Sequence, residues 1–200
     1  TYSLSDRPNP NYYRLTIKRE LSPSDPADAP PGRSSNYFHD KLKPGTKLRV
    51  RSPRGKFYLD PKGKTPVALV SAGVGLTPMI SMLNAIVDAG SGRPVYFVHG
   101  ARNASAHAMS AHVRQLTEEN EFVRTHIRYS NPSAEEMEGR DYDSEGHVDA
   151  ALLERLLPDE DVHYYLCGPA PFMKSVFSGL LARNVPEDRI HYEFFGPASV

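Results

Sequence analysis

A glycine turn follows an apolar run near the middle of the chain. The sequence VALVSAGVGLTPM (67–79) holds Gly73, Gly75 and Pro78 in the spacing G-x-G-x-x-P. Glycine lets the backbone turn sharply and approach a pyrophosphate, and free amides at a helix start attract the anion. We expect Thr77 to cap the helix and Pro78 to lie in its first turn. A tight turn that binds nothing could have the same spacing, so this motif needs support from other residues.

A lone cysteine ends a second apolar run, YYLCGPAPFM (164–173). Cys167 is followed by Gly168, Pro169 and a helix-like segment. A thiol is small and polarizable, so it can pack in an apolar site without needing hydrogen bonds. No neighbouring residue resembles a general base, so we interpret Cys167 as a positioning residue and not as a nucleophile. A single cysteine cannot form an internal disulfide, which favours a reducing compartment and a cytoplasmic location.

Composition argues against several classes of function. The chain has 24 basic and 24 acidic residues, so no basic excess favours nucleic acid or an anionic membrane surface. No apolar run approaches a membrane span or the core of a signal peptide, so we expect a soluble protein without a membrane partner. The eight histidines show no metal-ligand spacing, and no metal site is predicted. His99 ends a buried strand, and we expect its ring to be satisfied in the core.

Two parts of the chain, which differ in their sequence patterns, must position these residues. Residues 1–64 contain period-two patterns at 12–20 and 46–52, which predict strands, a proline-rich loop at 21–35 and a short helix at 35–42 capped by Ser35. From residue 65 the chain repeats strand, turn and helix. The predicted strands are 67–71, 95–99, 122–129, 163–167 and 189–195, and the predicted helices are 78–90, 105–119, 149–157 and 170–184. Such alternation predicts an α/β domain with a five-stranded parallel sheet and a ligand at the carboxyl ends of the strands.

Five ordered segments carry a family resemblance. They are YSLSD (2–6), GRSSNYFHD (32–40), AGVGLTPM (72–79), YLCGPAPFM (165–173) and YEFFGP (192–197). Together they resemble the ferredoxin–NADP reductase superfamily, and most closely the reductase half of flavohaemoglobins. The resemblance implies part of an antiparallel β-barrel FAD-binding domain at residues 1–64, followed by a ferredoxin-reductase-like NAD(P)H-binding α/β domain at 65–200. The family's first motif is Arg-x-Tyr-Ser, so we expect the arginine and part of the barrel to precede Thr1.

The resemblance also implies roles for individual residues. Ser3 would lie near the reactive nitrogen of the flavin, Cys167 against the nicotinamide, and Glu193 where it tunes the flavin and relays protons. The implied FAD-binding residues are Tyr2, Ser3, Leu4, Ser5, Thr16, Ile17, Lys18, Gly32, Ser34, Ser35, Phe195 and Gly196. The implied NAD(P)-binding residues are Gly73, Val74, Gly75, Leu76, Thr77, Pro78, Arg102, Ser130, Cys167, Gly168 and Pro169.

Structural alternatives stand beside these roles. Tyr2 could be a core aromatic residue of the barrel, and Lys18 a solvated lysine at a strand edge. The chain end could be an ordinary strand with Phe194 as its core aromatic residue, although alternation puts Glu193 and Phe195 on one face.

The choice between NADH and NADPH depends on two strand ends. NADP-specific relatives carry a serine–arginine pair after the third strand, whereas this chain has Ser130 and Asn131. An amide is a poor substitute for the arginine fork on a 2′-phosphate. Arg102, after the second strand, favours NADPH instead. The stretch ARN (101–103), which resembles flavohaemoglobin sequences, leads us to prefer NADH, with NADPH as the alternative.

These expectations describe an FAD-dependent NAD(P)H oxidoreductase module. Hydride would pass from NAD(P)H to FAD, and electrons would pass onward to a globin, iron–sulfur or cytochrome domain or protein. With a globin acceptor, the whole protein would resemble a nitric-oxide dioxygenase. The alternative is a non-catalytic nucleotide-binding module that has lost the flavin.

Overall fold

The structure, a computed structural model, describes residues 1–22, 30–157 and 161–195. Its main feature is a parallel sheet in the strand order β4-β3-β2-β1-β5-β6. The strands are β1 Val67–Ala72, β2 Val95–Ala101, β3 Val123–Tyr129, β4 Ser144–Glu145, β5 His163–Gly168 and β6 Ile190–Phe194. The helices are α1 Arg33–Asp40, α2 Leu76–Ala89, α3 Ser110–Glu119, α4 Ala150–Leu156 and α5 Ala170–Ala182. The predicted α/β class and the five predicted strands of the sheet are confirmed.

Alternation along each central strand divides the core between the two faces of the sheet. Leu69 and Phe97 pack on one face with apolar residues of α2 and α3. Val70 and Leu166 pack on the other face with residues of α4 and α5. All four side chains are at most 1% exposed, which is typical of parallel strands covered by helices on both sides. The sheet is therefore a rigid support for whatever binds at its carboxyl edge.

A sixth strand, β4, was not predicted. It has only two residues and pairs with the end of β3, Arg128 opposite Ser144 and Tyr129 opposite Glu145. The Asp143 carboxylate accepts a hydrogen bond from the Ile127 N–H at 2.7 Å, which holds the segment against β3. The acidic stretch 133–146 therefore ends in a short strand of the sheet. Two residues are too few to show a hydrophobic period in the sequence.

The predicted helix starts differ from the observed ones. The chain tightens into a 3-10 turn at Gly73–Gly75, so α2 begins at Leu76 and Thr77 is already inside it. The Thr77 hydroxyl donates to the Val74 carbonyl at 3.2 Å and does not accept from a helix amide. Ser35 likewise lies inside α1, where its hydroxyl donates to the Gly32 carbonyl. By contrast, Asp149 caps α4 with its side chain, because its carboxylate accepts the Leu152 N–H at 2.7 Å.

The described part of residues 1–66 contains one helix and no strand. The period-two patterns at 12–20 and 46–52 are therefore not realised as strands. Their apolar side chains stay open to solvent, with Tyr13 59% and Val50 70% exposed. A strand needs a neighbouring backbone to complete its ladder of hydrogen bonds. Within 46–52, the one backbone hydrogen bond among the described residues is local, from the Thr46 N–H to the Lys43 carbonyl at 3.0 Å. The division at residue 64 stays a prediction.

Among the described residues, no helix has the length and apolar content required to cross a membrane.

Candidate functional site

The carboxyl ends of β1 and β5 meet at the centre of the sheet. Ser71 on β1 is paired with Cys167 on β5, so the glycine turn that follows β1 lies beside the Cys-Gly-Pro segment that ends β5. Gly75 packs against the backbone of Cys167, where any Cβ would overlap with the carbonyl oxygen. The two motifs, almost ninety residues apart in the sequence, thus form one surface. Parallel sheets place ligands at this kind of edge.

The turn itself offers backbone groups and open space. Gly73 has φ +54°, a left-handed conformation that favours glycine, and no atom lies within 4 Å of the position its Cβ would take. No side chain caps the start of α2, where the positive end of the helix dipole faces the turn; the Leu76 N–H is bonded to the Gly73 and Val74 carbonyls, and Pro78 has no N–H. Leu76, Thr77 and Pro78 are buried, while Val74 is half-buried. Buried side chains at 76–78 leave the backbone as the binding group here, which fits a pyrophosphate.

Cys167 is fully buried, and its chemistry follows from that position. Burial raises the pKa of its thiol to about 12, and the negative charge of Glu193 acts in the same direction. The thiol is therefore neutral and poorly nucleophilic near neutral pH, which agrees with a positioning role. Gly168 packs tightly against the Phe172 ring, and Pro169 is exposed at the start of α5.

The third component of the site comes from the other end of the chain. Glu193 on β6 is paired with Cys167 on β5. The Ser3 hydroxyl donates a hydrogen bond to the Glu193 carboxylate at 3.0 Å. Both residues are half-buried, so the pair is shielded and still reachable from solvent. The structure thus brings together Ser3, Cys167 and Glu193, the three positions for which catalytic roles were expected.

The other residues predicted to bind FAD divide into two groups. Tyr2 is 36% exposed and meets the Phe38 ring edge-to-face at 5.4 Å, so it is not buried in a core. Phe195 packs partly on the core and Phe194 is 60% exposed, which excludes the reading of Phe194 as the core aromatic residue. Leu4 and Ile17 are half-buried, and Ser34 is exposed at the start of α1. The side chains of Tyr2, Leu4, Ile17, Ser34 and Phe195 are therefore all at least partly exposed and can contact a ligand.

The second group uses its polar atoms internally. Thr16 donates to the Ser5 hydroxyl at 2.9 Å, and Ser5 is fully buried. Ser35 accepts the Glu20 N–H at 3.1 Å, and Lys18 pairs with Glu20 at 3.1 Å. A Cβ on Gly32 would lie 2.7 Å from the Ser35 hydroxyl, so glycine there allows this close packing. Roles for these residues in binding FAD stay predictions, and Gly196 lies outside the described residues.

The expected 2′ region of the dinucleotide lies at the ends of β2 and β3. Ser130 donates its N–H to the Ala101 carbonyl at 3.0 Å, and Asn131 donates to the Arg102 carbonyl at 2.9 Å. These bonds put Arg102, Ser130 and Asn131 side by side at one edge. Arg102 and Asn131 are exposed and Ser130 is half-buried, so all three remain available to a ligand.

A histidine pair near this edge was missed by sequence reasoning. The His99 ring is fully buried and bonded to the Ser71 hydroxyl at 2.9 Å, and its centroid lies 5.1 Å from that of His107. His107 bonds to the Tyr129 hydroxyl at 3.1 Å. Within the described part of the chain, the Nε2 atoms of both rings have no hydrogen-bond partner, so the expectation that His99 is satisfied holds only for Nδ1. Strand spacing could not reveal this pair, because His107 lies in a loop.

A cavity of about 290 Å³ lies next to this pair, between α3 and residues 139–143. Arg114, Arg140 and Tyr142 contribute to its walls, and none of the residues predicted from the sequence lines it. The pairing of Ser3 with Glu193 beside Cys167 lies elsewhere, at the β5–β6 end of the sheet, and that is where we place the site.

Comparison with known proteins agrees with this geometry. Residues 69–177 match the family described as the oxidoreductase NAD-binding domain. The flavohemoprotein of Bacillus thuringiensis subsp. konkukian is 43% identical over 175 residues, which is 88% of this chain and 42% of that protein. The chain therefore spans less than half the length of that curated relative.

Solved structures extend the likeness to the fold. The flavohem-like FAD/NAD binding domain of nitric oxide dioxygenase from Vibrio cholerae superposes with a TM-score of 0.83 at 36% identity, covering 98% of this chain and 76% of that one. A flavohemoglobin from Malassezia yamatoensis, solved with bound FAD and heme, gives a TM-score of 0.72 at 20% identity, covering 98% and 46%. The second comparison supports the fold alone.

Proposed function

Because this chain belongs to the family of oxidoreductase NAD-binding domains, we propose that it is an FAD-dependent NAD(P)H oxidoreductase module, with NADH as the favoured electron donor. The observation that carries the proposal is the Ser3–Glu193 hydrogen bond beside Cys167. It joins the amino-terminal flavin motif to the two strands whose ends face the glycine turn. A nucleotide-binding domain with no second ligand would not need this convergence.

The residues present fit both groups. The open side of Gly73 and the positive end of the α2 dipole suit a pyrophosphate. The exposed face of Tyr2 suits a flat ring system, since aromatic side chains contribute large contact area in defined geometry. When bound, the nicotinamide and the flavin supply the hydride donor and acceptor, and the protein supplies binding and orientation.

Three side chains would act around the reacting rings. The neutral thiol of Cys167, fully buried in the core, would fill the space behind the reacting rings without adding charge. The Glu193 carboxylate accepts a hydrogen bond from the Ser3 hydroxyl, which fixes the orientation of that hydroxyl. Ser3 can therefore hold a proton close to the flavin, and Glu193 can exchange one with solvent, because it is only half-buried.

The onward acceptor is a further proposal. Because the curated relatives are flavohemoproteins more than twice as long as this chain, we favour a haem acceptor over an iron–sulfur domain or a separate cytochrome. With a globin as that acceptor, the whole protein would act as a nitric-oxide dioxygenase. We place it in the cytoplasm, on the ground that its single cysteine is a free, buried thiol.

The test is anaerobic mixing of the full gene product, purified with its flavin, with NADH and separately with NADPH. We expect the flavin absorbance to bleach, and faster with NADH. Ser3→Ala and Glu193→Gln should each slow bleaching by about 100-fold, the lower end of the range for a positioned proton-handling group. Glu187→Gln, an exposed change in a surface 3-10 turn, serves as the control. A colourless protein that still binds the dinucleotide would contradict the proposal.

A further inference from the structure

A buried carboxylate ties the amino-terminal segment to α2. Asp6 is only 7% exposed. Its carboxylate accepts hydrogen bonds from the Arg7 N–H at 2.9 Å and from the Tyr12 hydroxyl at 3.1 Å. Arg14 forms an ion pair with it at 3.1 Å, and the Asn84 amide of α2 donates to it at 3.0 Å. Burial by itself raises the pKa of the Asp6 carboxyl, but these four donors outweigh burial and lower the pKa below its usual value.

The backbone of Asp6 is held by the same helix. Its carbonyl accepts a hydrogen bond from the Ser81 hydroxyl at 2.7 Å. Ser81 and Asn84 are three residues apart and so share one face of α2. Asn84 is itself fixed, because its amide oxygen is bonded to His112 of α3 at 2.7 Å. Asp6 therefore has two contacts on α2, and one of them, through Asn84, continues to α3.

These contacts lie between the two halves of the site. Ser3, three residues before Asp6, bonds to Glu193 on β6. Ser81 and Asn84 lie five and eight residues into the helix that starts at Leu76, directly after the glycine turn. The segment 3–6 is thus attached to β6 at one end and to α2 at the other. The other hydrogen bonds of this segment, from Ser5 to Arg14 and from Thr16 to Ser5, stay within the amino-terminal residues.

We propose that Asp6 is a positioning residue that, through Asn84 and Ser81, sets the distance between the flavin motif and the dinucleotide turn. The inference rests on the proposed function, and it extends that function to residues outside the site. Small misplacement of reacting groups slows a reaction far more than it weakens binding. Loss of the Asp6–Asn84 contact should therefore reduce the rate of flavin reduction at saturating NADH while leaving the affinity for NADH nearly unchanged.

The donor and acceptor roles in the Asp6–Asn84 contact provide a specific test. In Asp6→Asn, the single amide oxygen can serve either the Arg7 N–H and the Asn84 amide or the Tyr12 hydroxyl and Arg14, so the new –NH2 group must face donors on the other side. In Asn84→Asp, two carboxylates would face each other. The double variant Asp6→Asn/Asn84→Asp restores a donor opposite an acceptor. Each single variant of the full gene product should lower the limiting rate of flavin bleaching by about tenfold, and the double variant should recover most of it.

Two controls separate positioning from general loss of stability. Leu153→Ala removes a buried side chain of α4 on the opposite face of the sheet and should lower the melting temperature without the same fall in limiting rate. Asp40→Asn removes an exposed ion pair with Arg19 and should leave the rate unchanged. Equal rate losses in Leu153→Ala and Asp6→Asn, or no recovery in the double variant, would overturn the proposal.

Hydrogen exchange gives a readout that does not depend on activity. Backbone amides of residues 3–6 and the start of α2 should exchange faster in each single variant and return to native rates in the double variant. If the native protein never bleaches with NADH or NADPH, the proposed function fails, while the exchange data still decide whether Asp6 joins the two segments. If the native protein bleaches and neither exchange nor rate responds to Asp6→Asn, only the positioning role fails.

Discussion

At the scale of single residues, Cys167 shows how burial decides the role of a reactive group. A free thiol at a strand end could be a nucleophile, but this one is fully buried and lies beside the negative charge of Glu193. Both influences raise the pKa of the thiol, to about 12. Almost none of it is then the thiolate, which is the reactive form.

We predict that Cys167 resists alkylation in the folded protein. Near pH 8.5 an ordinary cysteine is about half thiolate, whereas a thiol with a pKa of about 12 should react roughly a thousandfold more slowly. Mass spectrometry after treatment with iodoacetamide would measure this, with the urea-unfolded chain as the reactive control. Rapid, complete labelling of the native protein would show that the thiol is accessible and activated.

At the scale of elements, the turn between β1 and α2 uses its two glycines for different purposes. Gly73 adopts a left-handed conformation and faces open space, whereas Gly75 is pressed against the carbonyl of Cys167. The first therefore leaves open space beside the turn, and the second allows the turn to pack on β5. The same residue type in one motif thus has two separable effects.

Substitution at the two glycines should separate stability from binding. Gly75→Ala should lower the free energy of unfolding by about 3 kcal/mol, the upper end for overpacking, because its Cβ meets rigid backbone. Gly73→Ala should cost only about 1–2 kcal/mol for its left-handed backbone and yet weaken NADH binding about tenfold, because a methyl group occupies the approach to the turn.

Gly90→Ala is the matched control for Gly73→Ala. Gly90 ends α2 with φ +59° and faces open space, so it carries the same backbone cost at the far end of the same helix. Urea unfolding and NADH titration of the three variants would measure both quantities. Equal losses of NADH affinity in Gly73→Ala and Gly90→Ala would show that the turn does not contact the dinucleotide.

At the scale of the whole molecule, buried histidines link stability to pH. Burial lowers the pKa of His99 to about 3, with the neighbouring His107 acting in the same direction. Burial and Arg114 lower the pKa of His107 to about 4. Above pH 6.5 both rings are neutral in the folded and unfolded chain. Below pH 6.5 these two histidines bind protons in the unfolded chain and stay neutral in the folded chain. The free energy of unfolding therefore keeps its full value above pH 6.5 and decreases as the pH falls toward 4.

We predict that His99→Gln reduces the loss of stability at low pH. One such group contributes up to about 1.4 kcal/mol per pH unit below its unfolded pKa. Urea unfolding at about pH 7.5 and about pH 5 should show a smaller difference for His99→Gln than for the native protein, while other histidines contribute equally to both. His147→Gln, at an exposed position, should behave as the native protein does. If the free energy of unfolding of His99→Gln depended on pH as in the native protein, His99 would not be a source of the acid sensitivity.

Sequence reasoning succeeded where the signal is local. The apolar runs at 67–71 and 95–99 predicted buried parallel strands, and the glycine turn was placed correctly at the end of the first. It failed where an element depends on a distant neighbour. The pattern at 12–20 alternates as a strand does, but the described residues contain no strand there. The short strand β4 gave no pattern at all, since its position is set by the Asp143 carboxylate bonding to β3.

The sequence by itself determined the α/β class, the order of the central elements and the residue types at the glycine turn and at Cys167. Each of these follows from hydrophobic period and backbone freedom over a few residues. Only the tertiary structure decided which side chains meet. Ser3 reaches Glu193 across 190 positions, and Asp6 reaches Asn84 across 78. Such pairs are invisible to local patterns, because the packing of the whole sheet and its helices sets the distance between them.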